Sequence, residues 1–205
     1  MSEQYIITIS REFGSLGRPI ARRMSEILGI MYYDRDIVEE VSKQLQLPVP
    51  TISDVEERAP GSYFSMRFPL GNMTSDLQNK VFRAQQDIIT ELADRESCII
   101  VGRCADYVLR EKENCLNVYI YSDLDDRVAR ATTYYGLSPE RAREQMQKMD
   151  KKRASYYNFY TNLKWGRAEN YDLSLNSAKV GIDGCVDVIR AFAERMEAVA
   201  AEKKA

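Results

Sequence analysis

Short apolar runs alternate with longer amphipathic stretches along the chain. Runs rich in β-branched and aromatic residues are typical of buried strands, and five of them occur: Tyr5–Ile9, Ile30–Tyr33, Cys98–Val101, Leu116–Tyr121 and Tyr171–Leu175. Between these runs, apolar residues recur at the spacing of helices. Strands that alternate with helices predict an α/β fold with a parallel sheet covered on both faces.

The first predicted helix has the clearest end signals. Ile20, Met24 and Leu28 recur at helical spacing. Pro19 fits the first turn, where a missing N–H has little effect, and Gly29 fits the C-terminal end. The other predicted helices are Ile37–Leu45, a segment from Thr74 or Ser75 to about Ala93, Asp123 to about Tyr135, a segment capped by Ser138, and Ile182 to about Val199.

The segment Leu47–Asn72 interrupts this alternation. It contains four prolines and two glycines, with three aromatic residues among them. Proline and glycine disrupt regular elements. The segment is therefore predicted to be a partly irregular insert.

Composition limits the function classes. The chain has 205 residues, 44% hydrophobic and 29% charged, which predicts one domain with a packed core. The 29 basic and 31 acidic residues give a net charge of −2, so the basic excess typical of nucleic-acid binding proteins is missing. The sequence has no histidine, which excludes Ser-His-Asp and Cys-His catalysis, histidine general bases and histidine metal sites.

The cysteines and the chain start indicate the cellular setting. No pair of the four cysteines has CxxC spacing, so buried reduced thiols are expected rather than a zinc site or a disulfide framework. The polar start, Met-Ser-Glu-Gln, leads directly into the first strand and does not resemble a signal peptide. Apolar runs such as Cys98–Val101 are far shorter than the roughly 18 residues of a membrane span. A cytoplasmic protein without a membrane partner is predicted.

A glycine-containing turn, Ser10–Pro19, follows the first predicted strand. Ligands of parallel sheets bind at the carboxyl ends of strands, and a helix N-terminus with two glycines presents free N–H groups to a phosphate. Arg18 would lie beside that anion. The turn does not match G-x-x-x-x-G-K-[ST], because Glu12, Arg18 and Pro19 differ. From the pattern alone, a purely structural turn fits equally well.

Two further segments carry candidate binding residues. Gly102-Arg103 ends the strand Cys98–Val101, so Arg103 is expected to point into the ligand crevice or to pair on the surface with Asp106 or Glu111. The basic run Asp150–Arg153 is followed by tyrosines and a phenylalanine up to Tyr160. Such a segment suits a lid over polyphosphate, or a solvated helix face with packed aromatic side chains.

Together these segments resemble the P-loop nucleoside monophosphate kinases, and more closely the cytidylate kinase-like family. The resemblance rests on five stretches: Ile7–Arg18, Tyr32–Asp34, Cys98–Asp106, Asp150–Arg153 and Tyr171–Ser177. It implies a single three-layer α/β/α P-loop kinase domain over residues 1–205. Its core would comprise residues 1–45, 95–145 and 169–205, with a helical insert that binds the nucleoside monophosphate at about 46–94 and a basic lid at about 146–168.

The resemblance also implies a reaction and its residues. The γ-phosphoryl group of ATP would move to CMP or dCMP in the presence of Mg²⁺, so the expected partners are small molecules. The implied phosphate-binding loop is Gly14, Ser15, Leu16, Gly17 and Arg18. The implied catalytic cations are Arg18, Lys151, Lys152 and Arg153. The implied acceptor-binding residues are Asp34, Arg35, Gly102 and Arg103, and the implied magnesium ligand is Ser15.

The sequence departs from the cytidylate kinase pattern at several positions. Cys104 stands where those enzymes have aspartate, Arg35 replaces a small serine, and Glu40 falls where they place a phosphate-binding arginine. Pro19 supplies no hydroxyl for Mg²⁺. Three functions therefore stay open: a kinase for CMP, a nucleotide-binding regulatory protein with little turnover, and a kinase for a small molecule that is not a nucleotide.

Overall fold

The computed structural model describes residues 4–57 and 71–204. Its centre is a five-stranded sheet in the order β2-β3-β1-β4-β5, and every neighbouring pair is parallel. The strands are β1 (Ile6–Arg11), β2 (Met31–Tyr33), β3 (Cys98–Val101), β4 (Cys115–Tyr121) and β5 (Leu173–Asn176). The predicted parallel α/β sheet is confirmed.

The central strand is apolar because helices cover both of its faces. Ile6 of β1 belongs to one core cluster, and Ile7 and Ile9 belong to another. Alternate residues of a strand point to opposite faces, so the two clusters lie on the two sides of the sheet. A central parallel strand therefore lacks the polar alternation of a half-exposed strand.

Eight helices surround the sheet in the described part of the chain. They are α1 (Gly17–Leu28), α2 (Asp36–Leu45), α3 (Val49–Glu57), α4 (Gly71–Arg95), α5 (Ala105–Val108), α6 (Leu124–Tyr135), α7 (Pro139–Thr161) and α8 (Ser177–Lys204). Helices α2, α3 and α4 contribute to the first cluster, and α1 and α8 to the second. The predicted three-layer α/β/α arrangement is confirmed.

The structure revises the predicted elements of the insert and the lid. Helix α3 lies within the stretch predicted to be partly irregular, and α4 begins at Gly71, before the predicted cap. The rest of the predicted insert, residues 58–70, lies outside the described residues. Helix α7 begins as predicted, since the Ser138 hydroxyl accepts the Arg141 N–H at 3.3 Å. It then continues to Thr161, within the segment predicted to be a lid.

The strand order brings the predicted site segments together. Strands β3 and β4 flank β1 on opposite sides, so the chain crosses to the two sides of β1 in turn. The glycine turn after β1 and Gly102 after β3 leave the same edge of the sheet. This edge is the crevice where ligands of open parallel sheets bind.

The cysteines and the helix composition agree with the sequence. All four cysteines are buried and unpaired, as expected. Within residues 4–57 and 71–204, no helix combines the length and the apolar character needed to cross a membrane.

Candidate active site

The glycine turn forms a loop that opens at the N-terminus of α1. Gly14 has a φ of 79° and Leu16, the N-cap residue, a φ of 66°, a left-handed conformation that L-residues other than glycine seldom adopt. The first-turn amides of a helix have no intrahelical partner, and the helix dipole favours an anion there. The residues from Gly14 to Arg18 line a cavity. The loop therefore presents its backbone to a space that suits a phosphate.

Helices α6 and α7 hold this loop in place. The Phe13 N–H donates to Asp150 Oδ1 at 2.7 Å. Arg127 Nη1 donates to Asp150 Oδ2 at 2.6 Å and to the Phe13 carbonyl at 3.0 Å. From α8, the Ser177 hydroxyl donates to the Ser15 carbonyl at 2.7 Å. Side chains from three helices thus fix the loop backbone.

The geometry of the loop does not fit the predicted role of Ser15 as a magnesium ligand. Ser15 is fully buried, and its hydroxyl is directed at two carbonyl oxygens, those of Ile120 at 2.9 Å and Glu12 at 3.0 Å. Nearby carboxylates are engaged too, because Asp150 and Glu12 both face Arg127. Among the described residues, no group of three or more histidine, cysteine or acidic side chains is placed to hold a metal ion.

A cluster of arginines surrounds one buried carboxylate, that of Asp34, directly after β2. Arg103 Nη1 lies 3.3 Å from Asp34 Oδ1, and Arg11 Nη2 lies 3.6 Å from the same oxygen. Arg18 Nε contacts Asp34 Oδ2. From α7, Arg153 Nη1 donates to the Arg11 carbonyl at 2.9 Å. Three arginines, from β1, α1 and the turn after β3, therefore share one negative charge, and α7 places a fourth arginine beside them.

The pKa shifts in this cluster follow from burial and crowding. Burial alone would raise the pKa of Asp34, but Arg11, Arg103 and Arg18 outweigh it and lower that pKa. Burial, and next the charge of Arg153, lowers the pKa of Arg11 to about 9. Burial also lowers the pKa of Arg153, although Asp150 opposes this effect. In both arginines burial disfavours the charged guanidinium, and the neighbouring carboxylates do not fully offset this effect.

The arginines line a cleft with about 850 Å³ of empty space, including its open mouth. The described lining also includes sulfur-containing and aromatic residues, and the apolar wall is our name for five of them: Cys104, Met149, Tyr156, Tyr157 and Trp165. The wall is tied to the fold, since the Tyr157 hydroxyl donates to Asp106 at 2.7 Å. The cleft lining therefore combines cationic side chains with sulfur-containing and aromatic ones.

Two cavities meet at three of these arginines. The first lies over the glycine loop and includes Arg127 and Arg130, and the second is the cleft beside Asp34. Arg11, Arg18 and Arg153 line both. A ligand in either cavity would therefore contact the same positive charges.

The structure brings most of the predicted residues together. Asp34, Gly102, Arg103, Lys152 and Arg153 line the cleft, with Arg18 at its junction with the loop. Two other predicted residues, Arg35 and Lys151, are exposed and do not belong to the described lining of either cavity.

Arg103 does not follow the surface interpretation of its position. Its side chain is 10% exposed and pairs with Asp34, rather than with Asp106 or Glu111. Arg103 and Cys104 both have a φ of 55°, directly after Gly102 with a φ of 80°. Three consecutive left-handed residues turn the chain sharply at the end of β3, and this turn aims Arg103 into the cleft.

Sequence reasoning missed Arg11, Arg127 and Asp150 as site residues. Arg11 is the last residue of β1, and Arg103 lies just after the end of β3. The rule that ligands bind at the carboxyl ends of parallel strands therefore applies to Arg11 as well as to Arg103. The pair of Arg127 and Asp150 joins two helices and reaches the loop only in three dimensions. No local sequence pattern predicts the contact between this pair and the loop.

Comparisons with known proteins agree with this geometry. Residues 6–179 match the model of the cytidylate kinase-like family. A cytidylate kinase from Thermococcus sibiricus is 23% identical over 193 residues, which cover 93% of this chain and 89% of that protein. An uncharacterized protein from Eubacterium ventriosum superposes with a TM-score of 0.72 at 29% identity, covering 93% of this chain and 99% of that one.

A more distant neighbour supports the fold. Shikimate kinase from Bacteroides thetaiotaomicron superposes with a TM-score of 0.54 at 12% identity, and the match covers 93% of this chain and 98% of that one. The fold is thus that of the P-loop kinases. Because the family model spans most of the sequence, including the glycine loop and the arginine cluster, the chain belongs to the cytidylate kinase-like family of phosphotransfer kinases.

Proposed function

We propose that this protein transfers the γ-phosphoryl group of ATP to CMP or dCMP. The observation that carries the proposal is the junction of two cavities at Arg11, Arg18 and Arg153. Phosphoryl transfer needs a donor and an acceptor on opposite sides of one charged centre. The family supports the reaction class, and the geometry of the junction supports two substrates.

The cavity over the glycine loop suits the donor. Loop amides and the α1 dipole would hold the phosphates of ATP, and Arg130 adds positive charge at the same cavity. Mg²⁺ would enter with the nucleotide as part of the substrate, since Mg²⁺ is usually held by phosphate oxygens and water with few protein ligands. Ser15 therefore does not need to ligate the Mg²⁺ ion.

The cleft beside Asp34 suits the acceptor. Arg103 and Lys152 lie on this side, and among the described residues the cleft lining holds four arginines, one lysine and one aspartate, Asp34. A phosphate monoester carries nearly two negative charges at neutral pH and would balance part of that excess. The chemistry then consists of positioning and charge stabilisation, which require no histidine.

The apolar wall of the cleft favours a second candidate acceptor. Cys104, Tyr157 and Trp165 offer aromatic and thiol surface where a nucleobase would need hydrogen-bond partners. An anionic small molecule that is not a nucleotide, with an apolar body, would also fit. The acceptor assay should therefore include such compounds.

A coupled assay of ADP release tests the proposal. The purified protein is given ATP, Mg²⁺ and each nucleoside monophosphate in turn, and nucleotide binding is measured in parallel by titration calorimetry. Faster turnover with CMP or dCMP than with AMP, GMP or UMP is expected. ATP binding without turnover on any acceptor would contradict the proposal and indicate a regulatory protein on a kinase scaffold.

A further inference from the structure

Arg11 is a largely buried cation at the junction of the two cavities. Its side chain is 13% exposed, whereas that of Arg18 is 51% exposed. It is the last residue of β1, so its Cα is fixed by the centre of the sheet. The resemblance to the kinase family assigned no role to this residue.

Two glycines make room for the Arg11 side chain. A Cβ atom at Gly102 would lie 2.0 Å from Arg11 Nη1, and a Cβ atom at Gly17 would lie 2.6 Å from Arg11 Cβ. One glycine belongs to the first turn of α1 and the other to the turn after β3. The base of the side chain therefore passes Gly17 of the phosphate loop, and the guanidinium lies beside Gly102 of the acceptor cleft.

The charge of Arg11 is incompletely balanced. Among the described residues its ion-pair partner is Asp34, whose Oδ1 lies 3.6 Å from Arg11 Nη2 but 3.3 Å from Arg103 Nη1. Burial and the neighbouring Arg153 disfavour the charged form of Arg11. A buried cation with a remote, shared counter-ion binds an added anion strongly.

We propose that Arg11 is a catalytic residue that contacts the γ-phosphoryl group during transfer. The inference rests on the proposed function. A P–O bond forms between an acceptor oxygen and the γ-phosphorus, and the bond from that phosphorus to the β,γ-bridging oxygen breaks. The electron pair of the broken bond stays on ADP. A fully ionised phosphate acceptor has no proton to lose, so the residue's task is to stabilise the charge on the transferred oxygens.

The geometry suits this task better than ground-state binding. A fixed guanidinium needs no reorganisation when the charge is redistributed in the transition state. Arg11 lines both cavities, so it faces the space between donor and acceptor. Its removal should therefore reduce kcat more than it raises KM for ATP.

The test compares Arg11→Met, Arg11→Lys and Arg22→Met. Methionine keeps an unbranched side chain without the charge, and Arg22, 74% exposed on α1, is the matched control. Loss of one preorganised donor typically lowers kcat about 10²- to 10³-fold, and Arg11→Met should show a loss of that size. Arg11→Lys should recover part of it, and Arg22→Met should behave as the wild type.

Binding of ADP with aluminium fluoride and CMP gives a readout that a structural role would not move selectively. Arg11→Met should weaken this transition-state complex by about the factor lost in kcat, while binding of ADP alone changes little. Equal losses for both ligands, or a lower melting temperature that accounts for the lost activity, would overturn the inference. Unchanged kcat in an active wild-type background would overturn it and leave the proposed function standing. No turnover in the wild type would overturn both.

Discussion

Replacing Asp106 by asparagine should change how the stability of the protein depends on pH. Asp106 lies on α5, is 4% exposed, and accepts a 2.7 Å hydrogen bond from Tyr157 of α7. Burial raises its pKa from 3.8 to about 6, and the hydrogen bond from Tyr157 opposes this rise only in part. This difference in pKa between the unfolded and folded states corresponds to a change of about 3 kcal/mol in the free energy of unfolding, at 1.36 kcal/mol per pH unit.

The direction in which stability changes with pH depends on whether the folded or the unfolded state binds the Asp106 proton more tightly. The folded protein holds the Asp106 proton at a pH where the unfolded chain has lost it. Its contribution to stability is therefore full below about pH 4 and is lost as the pH rises through about 6. The amide introduced by Asp106→Asn cannot ionise, and its carbonyl oxygen can still accept from Tyr157. The free energy of unfolding of the variant, relative to wild type, should rise by about 3 kcal/mol from about pH 4 to about pH 7.5.

Urea denaturation followed by circular dichroism measures this difference. Unfolding curves are compared at several pH values across that interval for wild type, Asp106→Asn and Asp125→Asn. Asp125, with an 88% exposed side chain, is the control and should follow the wild type throughout. Parallel pH profiles for Asp106→Asn and wild type would refute the reasoning, since they would mean that burial does not raise the pKa of Asp106.

Three further predictions concern the site. Arg103→Ala should weaken acceptor binding in calorimetry by about 1.5–3 kcal/mol, because it removes a charge-assisted bond to phosphate. Substitution of the half-exposed Arg110 by alanine should leave acceptor binding unchanged, and an unfolded Arg103→Ala variant would assign Arg103 a structural role. Sulfate in crystals should occupy the backbone amides between Gly14 and Arg18, and a loop filled by its own side chains would contradict this. Arg153→Ala should reduce turnover more than ATP binding, and amide exchange of Asp150–Trp165 should slow when ATP is added; equal protection with and without ATP would mean a fixed helix.

The strands could be predicted from sequence because burial on both faces leaves a continuous apolar run. Helix α3 was missed because Pro48 and Pro50 indicated irregular structure. Pro50 lies in the first turn of α3, where its missing N–H leaves no hydrogen bond unmade. The same residue type therefore marks a helix start or an irregular segment, and tertiary packing decides between them.

Site residues could be predicted from the sequence only where a local rule applied, such as the rule that ligands bind at the carboxyl ends of parallel strands. Arg103 follows a strand end, and the rule for parallel sheets found it. The choice between Lys151 and Lys152 depends on how α7 is rotated against the core, and that rotation is set by contacts such as Tyr157 with Asp106. Asp34 accepts a hydrogen bond from Arg103, which lies 69 residues away in sequence. Hydrophobic periodicity cannot predict such a long-range pair.

The arginine cluster also bears on the departures from the usual phosphate-binding loop. Arg18 in place of lysine and Pro19 in place of a hydroxyl residue would leave a loop short of charge if the loop acted alone. In the folded chain, β1 supplies Arg11 and α7 supplies Arg153 to the same junction. Arginine also offers a planar fork of donors that matches phosphate oxygens in pairs, which a lysine ammonium does not. Positive charge is therefore supplied by neighbouring elements, and it lies between the two cavities, where the proposed reaction would place the transferred group. A protein that only sensed nucleotide would need cations at the cavity over the glycine loop alone, so the charge shared with the cleft beside Asp34 favours the proposed turnover.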